Sequence, residues 1–173
     1  VTRVEGNSVT FIDTEGTEHT VEGDKILLSV GRRPIIRGFG LETLGVELER
    51  GGIKVDAQMR TNVEGVYAAG DVTGFSLLAH TASREAEVAV NTICGHHDTM
   101  RYNAIPGIVY TNPEVAGVGL TEAQAQQQGL ECDCHKLPMA YSGRFVSENE
   151  GGEGLCKIVT EKTTGRVLGV HML

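Results

Sequence analysis

A carboxylate at the end of an apolar segment is the side chain of this sequence best placed to do chemistry. Residues 65–71 read Gly-Val-Tyr-Ala-Ala-Gly-Asp, which predicts a buried strand with Asp71 at its carboxyl end. Open α/β sheets bind ligands at that end of their strands. Ionised Asp71 accepts hydrogen bonds from sugar hydroxyls but disfavours phosphate, and Gly70 lets a ligand approach the backbone. The pattern indicates a nucleotide-type cofactor with a polyhydroxyl chain, and the alternative is a turn aspartate without a ligand.

A predicted helix that begins six residues after Asp71 supplies the second half of this candidate site. The unpaired N–H groups of a first helical turn form a partly positive end that suits electron-rich or anionic groups. His80 lies at this helix start, where a lone histidine is more often a packing or capping residue than a catalyst. The apolar positions that fall near one face of the helix are Leu78, Ala82, Ala86, Ala89, Val90 and Ile93.

A second apolar segment ends in glycine and two arginines. Residues 28–34 read Leu-Ser-Val-Gly-Arg-Arg-Pro, and the continuous apolar run from Ile26 to Val30 predicts a strand buried on both faces. Gly31 at its end could approach a dinucleotide closely. The local pattern by itself favours the simpler alternative, a strand exit with solvated arginines.

The four cysteines form neither a redox motif nor a zinc motif. Cys132 and Cys134 are separated by one residue in a predicted strand, so their thiols share one face and His135 faces the other. Zinc sites usually combine two pairs of ligands with longer spacers. We therefore predict no metal site. The motifs of serine hydrolases, zinc proteases and phosphate loops are also absent from the sequence.

Composition narrows the class of protein further. The 173 residues carry 15 Lys and Arg against 23 Asp and Glu, a net charge of −8, which argues against nucleic acid as a partner. Hydrophobic residues make up 40% of the chain, which is typical of a folded core. No apolar run approaches the roughly 20 residues of a membrane span, so we expect no membrane association. Free thiols are typical of the cytoplasm, where we expect this protein.

The remaining elements predict an α/β part followed by an α+β lobe. A β-meander covers residues 1–21, a helical turn covers 41–44, and a hairpin turns at Gly51-Gly52. In the later lobe, Thr121 caps a short helix that ends at Gly129. The strands predicted around that helix are 105–110, 115–118, 131–137, 154–160 and 166–172.

A series of motifs in fixed order covers nearly the whole chain. Besides residues 28–34, its clearest members are Val-Tyr-Ala-Ala-Gly-Asp-Val at 66–72, Leu-Leu-Ala-His-Thr-Ala at 77–82, and Ile-Pro-Gly-Ile-Val-Tyr-Thr-Asn-Pro-Glu at 105–114. The series resembles the flavin-dependent pyridine nucleotide–disulfide oxidoreductases, and most closely their dihydrolipoamide dehydrogenase branch. The resemblance to that branch rests on Leu-Ala-His at 78–80, where glutathione reductases carry Leu-Thr-Pro.

The resemblance implies a fold and a division into domains. Residues 1–33 would be the end of an NAD-binding domain, and residues 34–101 would be the return segment of a FAD-binding domain. Together they would form part of a Rossmann-like α/β region. Residues 102–173 would begin the α+β interface domain, through which two subunits form a homodimer or a higher oligomer.

The resemblance also implies cofactor contacts. Asp71 would hold the ribityl chain of FAD, and Gly31 would line the NAD site. The residues that would lie along the flavin, mainly through backbone groups at the helix start, are Leu77, Leu78, Ala79 and His80. No catalytic residue of the family falls within this chain, because the redox cysteine pair would precede it and the catalytic histidine would follow it.

The implied parent enzyme oxidises dihydrolipoamide to lipoamide and passes the electrons through a redox disulfide and FAD to NAD⁺. It would act as a component of 2-oxo acid dehydrogenase complexes and in cell redox homeostasis. We expect the chain itself to be an inactive fragment with weak or no FAD binding. One alternative is a fragment of another disulfide reductase, of the glutathione or mercuric reductase type. The other is a non-catalytic dimerisation module.

Overall fold

Two units make up the chain, Val1–Arg33 and Pro34–Leu173, and the computed structural model describes all residues from 1 to 173. The first unit is a three-stranded antiparallel meander, which confirms the sequence prediction. Its strands are β1 (Arg3–Glu5), β2 (Ser8–Ile12) and β3 (Glu18–Glu22), in the order β1-β2-β3. Asp13 organises the turn before β3, because its Oδ1 accepts the backbone N–H groups of Glu15 and Thr17, both at 2.9 Å.

The prediction of a strand over the apolar run 26–30 is wrong. The segment is irregular, no strand pairs with it, and Leu27 and Val30 are 90% and 82% exposed. An apolar run becomes a strand buried on both faces only where neighbouring strands flank it and other layers cover it. The described chain supplies neither for this segment.

The first part of the second unit contains two helices and a hairpin. They are α1 (Leu41–Leu44), the hairpin strands β4 (Leu48–Glu49) and β5 (Gly52–Ile53), and α2 (Ala79–Ile93). These elements confirm the helical turn, the hairpin at Gly51-Gly52 and the long helix. The strand predicted before Asp71 is reduced to one bridge between Arg60 and Tyr67, because no second strand runs beside it.

A five-stranded antiparallel sheet forms the second part and confirms the predicted α+β lobe. Its strands are β6 (Gly107–Val109), β7 (Val115–Gly119), β8 (Cys132–Pro138), β9 (Leu155–Glu161) and β10 (Val167–Met172), in the order β6-β7-β10-β9-β8. The predicted helix is α3 (Glu122–Gln127), and Thr121 and Gln124 form a reciprocal capping box at its start. A further helix, α4 (Gly143–Glu148), was not predicted, because the six-residue segment opens with glycine and shows little helical periodicity.

A small apolar core lies where α2 meets the segments on either side of it. Met59, Val88, Ala89 and Met100 are buried together in this core. The inward face of α2 also carries the polar residues Thr81, Glu85 and Thr92, whereas Val90 and Ile93 are 57% and 60% exposed. The apolar periodicity therefore identified the helix but misplaced its buried face. No helix of the structure combines the length and apolarity that a bilayer crossing requires.

An ion pair fastens the chain that follows α2 back onto the helix. The Asp98 carboxylate accepts hydrogen bonds from Arg84 Nη2 at 2.6 Å and Arg84 Nη1 at 2.9 Å, and from Asn91 Nδ2 at 2.8 Å. These donors, Arg84 first, hold the pKa of Asp98 far below its ordinary value. The carboxylate therefore holds the return segment against α2, two residues before the core residue Met100.

Replacing Asp98 with Asn should lower the melting temperature at neutral pH, because the amide cannot accept both Arg84 donors. Since the pKa of Asp98 is depressed on folding, its stabilising contribution is present above about pH 4 and is lost as the pH falls. The difference between wild type and D98N should thus narrow in acid, as measured by thermal unfolding between pH 7 and pH 2. D133N is the control, because Asp133 is exposed and lies 4.0 Å from Lys162. Equal melting temperatures at pH 7 would contradict the prediction.

Close backbone packing at Gly169 joins β10 to the end of β7. A methyl group on Gly169 would lie 2.1 Å from the carbonyl oxygen of Leu120. G169A should therefore destabilise the chain by about 1–3 kcal/mol, since neither backbone can move without breaking the β7–β10 pairing. Denaturant unfolding measures the loss. G143A is the matched control, because no atom lies within 4 Å of its added methyl group. If G169A were as stable as G143A, the Gly169 and Leu120 backbones would have room for a methyl group, which would contradict the prediction.

Candidate functional site

A tight turn presents Asp71 at the surface. Gly70 precedes it with φ 82° and ψ −157°, a conformation that only glycine adopts without strain. The Gly70 carbonyl accepts the backbone N–H of Thr73 at 3.0 Å and the Thr73 hydroxyl at 2.9 Å. The Asp71 side chain is exposed and makes no hydrogen bond within the chain. Its carboxylate is therefore free to accept hydrogen bonds from a ligand.

The start of α2 offers backbone donors close to this turn in the fold. Leu78 is the N-cap residue, and no side chain caps the helix. The first helical hydrogen bond is donated by Ala82 to the carbonyl of Leu78, so the N–H groups of residues 79–81 precede it. A side chain on Gly70 would come within 3.3 Å of Ala82 Cβ, which brings the Gly70 turn against the first turn of α2.

The predicted flavin-contacting residues surround this helix start. Leu77 and Leu78 are 38% and 37% exposed, and Ala79 is also exposed. The Nε2–H of His80 donates to the carbonyl of Pro106 at 2.9 Å, which ties the helix start to the chain just before β6. This hydrogen bond holds the His80 ring against the chain before β6. The backbone groups at 77–80 can face a ligand.

The loop after Asp71 is held from two sides. A methyl group on Gly52 would lie 2.3 Å from the Thr73 carbonyl carbon, so the β4–β5 hairpin packs in direct contact with the turn that carries Asp71. Phe75 contacts both the Arg50 guanidinium, 5.4 Å from its ring centre, and the Tyr102 ring, 3.9 Å away between centroids. The turn that carries Asp71 is therefore well supported.

Sequence reasoning missed Glu85 and Tyr102. Glu85 is fully buried on α2, and its carboxylate contacts the Gly70 N–H and the Tyr102 hydroxyl. Glu85 follows the buried Thr81 by one helical turn and precedes the buried Val88 by another. This helical spacing was the signal that could have revealed a buried glutamate.

The other candidate residues belong to other segments of the chain. Gly31 belongs to the first unit, where it has φ 84° and no atom within 4 Å of an added Cβ. All four cysteines are free thiols, and no group of three or more His, Cys, Asp or Glu side chains could hold a metal ion. Burial and the neighbouring Glu122 carboxylate raise the pKa of Cys134, which lowers its reactivity.

The residues at the turn and helix start fit the sugar-alcohol chain and flavin of FAD. The unpartnered Asp71 carboxylate suits hydroxyl donors, and the uncapped N–H groups of residues 79–81 suit the electron-rich edge of a flavin ring. The lack of a side chain at Gly70 allows the close approach of turn and helix that this arrangement needs.

Two family models together match most of the chain. Residues 1–86 match the family model described as pyridine nucleotide-disulphide oxidoreductase, and residues 105–173 match the dimerisation domain of the same group. The chain belongs to the pyridine nucleotide-disulphide oxidoreductase family. This family assignment confirms the fold class inferred from the sequence, an α/β cofactor-binding part followed by an α+β dimerisation domain.

Relatives with curated names point to one branch of the pyridine nucleotide-disulphide oxidoreductases. The chain is 43% identical to the dihydrolipoyl dehydrogenase of Bacillus subtilis over 171 residues, which are 98% of this chain and 36% of the relative. The dihydrolipoyl dehydrogenase of Geobacillus stearothermophilus is 38% identical over 99% of this chain and 36% of its own length. The chain thus spans just over a third of the length of these relatives.

Solved structures agree with this family assignment. LpdA from Mycobacterium tuberculosis superposes with a TM-score of 0.81 at 32% identity, over 97% of this chain and 36% of that one. The HOCl-induced flavoprotein disulfide reductase RclA from Escherichia coli gives 0.74 at 26% identity, over 98% of this chain and 39% of that one.

Proposed function

We propose that this chain forms part of a flavin- and NAD-dependent disulfide oxidoreductase of the dihydrolipoyl dehydrogenase type. The observation that carries the proposal is the 43% identity to a dihydrolipoyl dehydrogenase over 98% of the chain. The free carboxylate of Asp71 beside the uncapped start of α2 supports it independently. When bound, FAD would supply the two-electron chemistry that links a thiol pair to a nicotinamide.

In this proposal the chain's own residues bind and orient the cofactors. Asp71 accepts hydrogen bonds from the ribityl hydroxyls of FAD. Leu77, Leu78, Ala79 and His80 lie along the flavin, mainly through their backbone groups. Gly31 lines the NAD site, where the absence of a side chain allows a close approach.

The domains and the remaining chemistry are part of the same proposal. Residues 1–33 end the NAD-binding domain, 34–101 belong to the FAD-binding domain, and 102–173 begin the dimerisation domain. The redox disulfide and the catalytic histidine lie outside these residues, so this chain by itself is inactive. The complete protein is a homodimer that oxidises dihydrolipoamide in the cytoplasm, as part of a 2-oxo acid dehydrogenase complex.

The complete reading frame that contains this chain provides the direct test. The purified protein should show a flavin spectrum and should reduce NAD⁺ when dihydrolipoamide is added. Light scattering should give the mass of a dimer. The competing assignment is tested with NADPH and glutathione disulfide or mercuric ion as substrates. Turnover of one of these, without turnover of dihydrolipoamide, would reject the lipoamide assignment in favour of another disulfide reductase.

Replacing Asp71 with Asn in the complete protein should weaken FAD binding. A hydrogen bond to a charged group contributes about 1.5–3 kcal/mol, so we expect the Kd for FAD to rise roughly tenfold to a hundredfold. Quenching of flavin fluorescence on titration of the apoprotein measures the Kd. The exposed Asp133 on β8 provides the control, and D133N should bind FAD like the wild type. Unchanged affinity in D71N would remove Asp71 from the site.

A further inference from the structure

Glu85 is a buried carboxylate that the proposed function leaves without a role. Glu85 is 0% exposed, and no Lys, Arg or His side chain forms an ion pair with it. A carboxylate removed from water is costly unless hydrogen bonds satisfy its oxygens. The structure meets that requirement, because no buried side-chain polar atom lacks a partner.

The two oxygens of Glu85 accept hydrogen bonds from two separate segments. Oε2 accepts the backbone N–H of Gly70 at 2.6 Å, and Oε1 accepts the hydroxyl of Tyr102 at 2.7 Å. Burial, and then the hydrogen bond to Glu85, raise the pKa of Tyr102, so its hydroxyl remains a donor at physiological pH. At 2.6 and 2.7 Å both hydrogen bonds are short, and together they satisfy both oxygens of Glu85.

The hydrogen bond to Gly70 fixes the residue that directs Asp71. Thr73 already holds the Gly70 carbonyl, and Glu85 holds the N–H group of the same residue. A glycine at φ 82° has no side chain to restrict its backbone, and without these partners it would sample other conformations. Rotation at Gly70 would change the direction of the Asp71 carboxylate.

The hydrogen bond to Tyr102 extends this support to the loop after Asp71. The Tyr102 ring contacts Phe75, and Tyr102 begins the 3-10 turn Tyr102–Ala104 just before β6. One carboxylate thereby joins the Gly70 turn, α2 and the start of the sheet lobe.

We infer that Glu85 is a positioning residue: its carboxylate holds the Gly70 backbone so that Asp71 faces the polyhydroxyl chain of the cofactor. The inference rests on the proposed function, because it requires Asp71 to contact FAD. Glu85 is fully buried, so its side chain does not reach the surface where the cofactor would bind. In this inference its effect on FAD affinity passes through Asp71, which distinguishes positioning from a contribution to stability alone.

A double-mutant cycle on FAD affinity tests the inference in the complete protein. E85M keeps the length of the side chain but removes both acceptors, and we expect it to raise the Kd for FAD on the order of tenfold. In a D71N background the same change should have little further effect, because the contact that Glu85 orients is already lost. E85Q should largely restore affinity, since its amide oxygen can accept from Gly70 and its NH₂ group can donate to Tyr102.

The experiment includes a control variant on the same helix and a replacement variant for the case in which E85M does not fold. E87M changes an exposed glutamate of the same helix and should bind FAD like the wild type. If E85M does not fold, E85D replaces it in the cycle, because its shorter side chain cannot reach both donors. All Kd values are measured at a temperature where each variant is folded by circular dichroism.

The outcomes separate the inference from the proposed function. Weak binding by E85M, rescue by E85Q and non-additivity with D71N support positioning. Wild-type affinity in E85M, or effects that add fully to those of D71N, would overturn it while leaving the FAD site intact. If D71N alone has no effect on FAD affinity, the Asp71 contact of the proposed function fails and the inference fails with it.

Discussion

The arrangement around Asp71 depends on keeping a fully buried carboxylate hydrogen-bonded. Glu85 lies on the inward face of α2, and its two oxygens are satisfied only by donors that come from Gly70 and Tyr102. Since losing either donor would leave an acceptor unsatisfied in the interior, the three segments are fixed relative to one another. The polar residues on the buried face of this helix thus help to specify the geometry of the turn.

A similar dependence on short-range backbone contacts holds in the sheet lobe. Gly119 and Gly169 let β7, β10 and Leu120 approach so closely that an added methyl group would overlap a carbonyl oxygen. The Nε2–H of His171 donates to the carbonyl of Leu120 at 3.1 Å. On the same side, Lys157 on β9 pairs with Glu122 of α3, which also lowers the pKa of that carboxylate. The lobe is therefore stabilised by close backbone packing and by polar contacts.

Some apolar residues that the structure leaves exposed lie in segments whose pattern predicted burial. Leu27 and Val30 lie in the irregular stretch before Arg33, and Val90 and Ile93 lie on the outer face of α2. Exposed apolar surface of this kind is typical of contact regions between domains or subunits. Such exposed surface agrees with the greater length of the matched relatives, which are almost three times as long as this chain.

Features that depend on neighbouring residues could be predicted from the amino-acid sequence. The turns of the meander, the capping box at Thr121, the hairpin at Gly51-Gly52 and the strands of the sheet lobe all follow from signals within a few positions. The family motifs likewise identified the turn at Asp71 and the helix start after it. Their contacts with FAD and NAD stay predictions that the binding experiments address.

The choice of segments that became strands, and of the helix face that was buried, depended on contacts between distant parts of the chain. Residues 24–30 have the composition of a strand but no partner, and α2 buries Glu85 while exposing Ile93. Strand pairing and burial depend on residues that are distant in the sequence, as when Tyr102 and Gly70 together make a buried glutamate acceptable. A local pattern contains no information about such partners, and for this reason the support of the Asp71 turn emerged only from the fold.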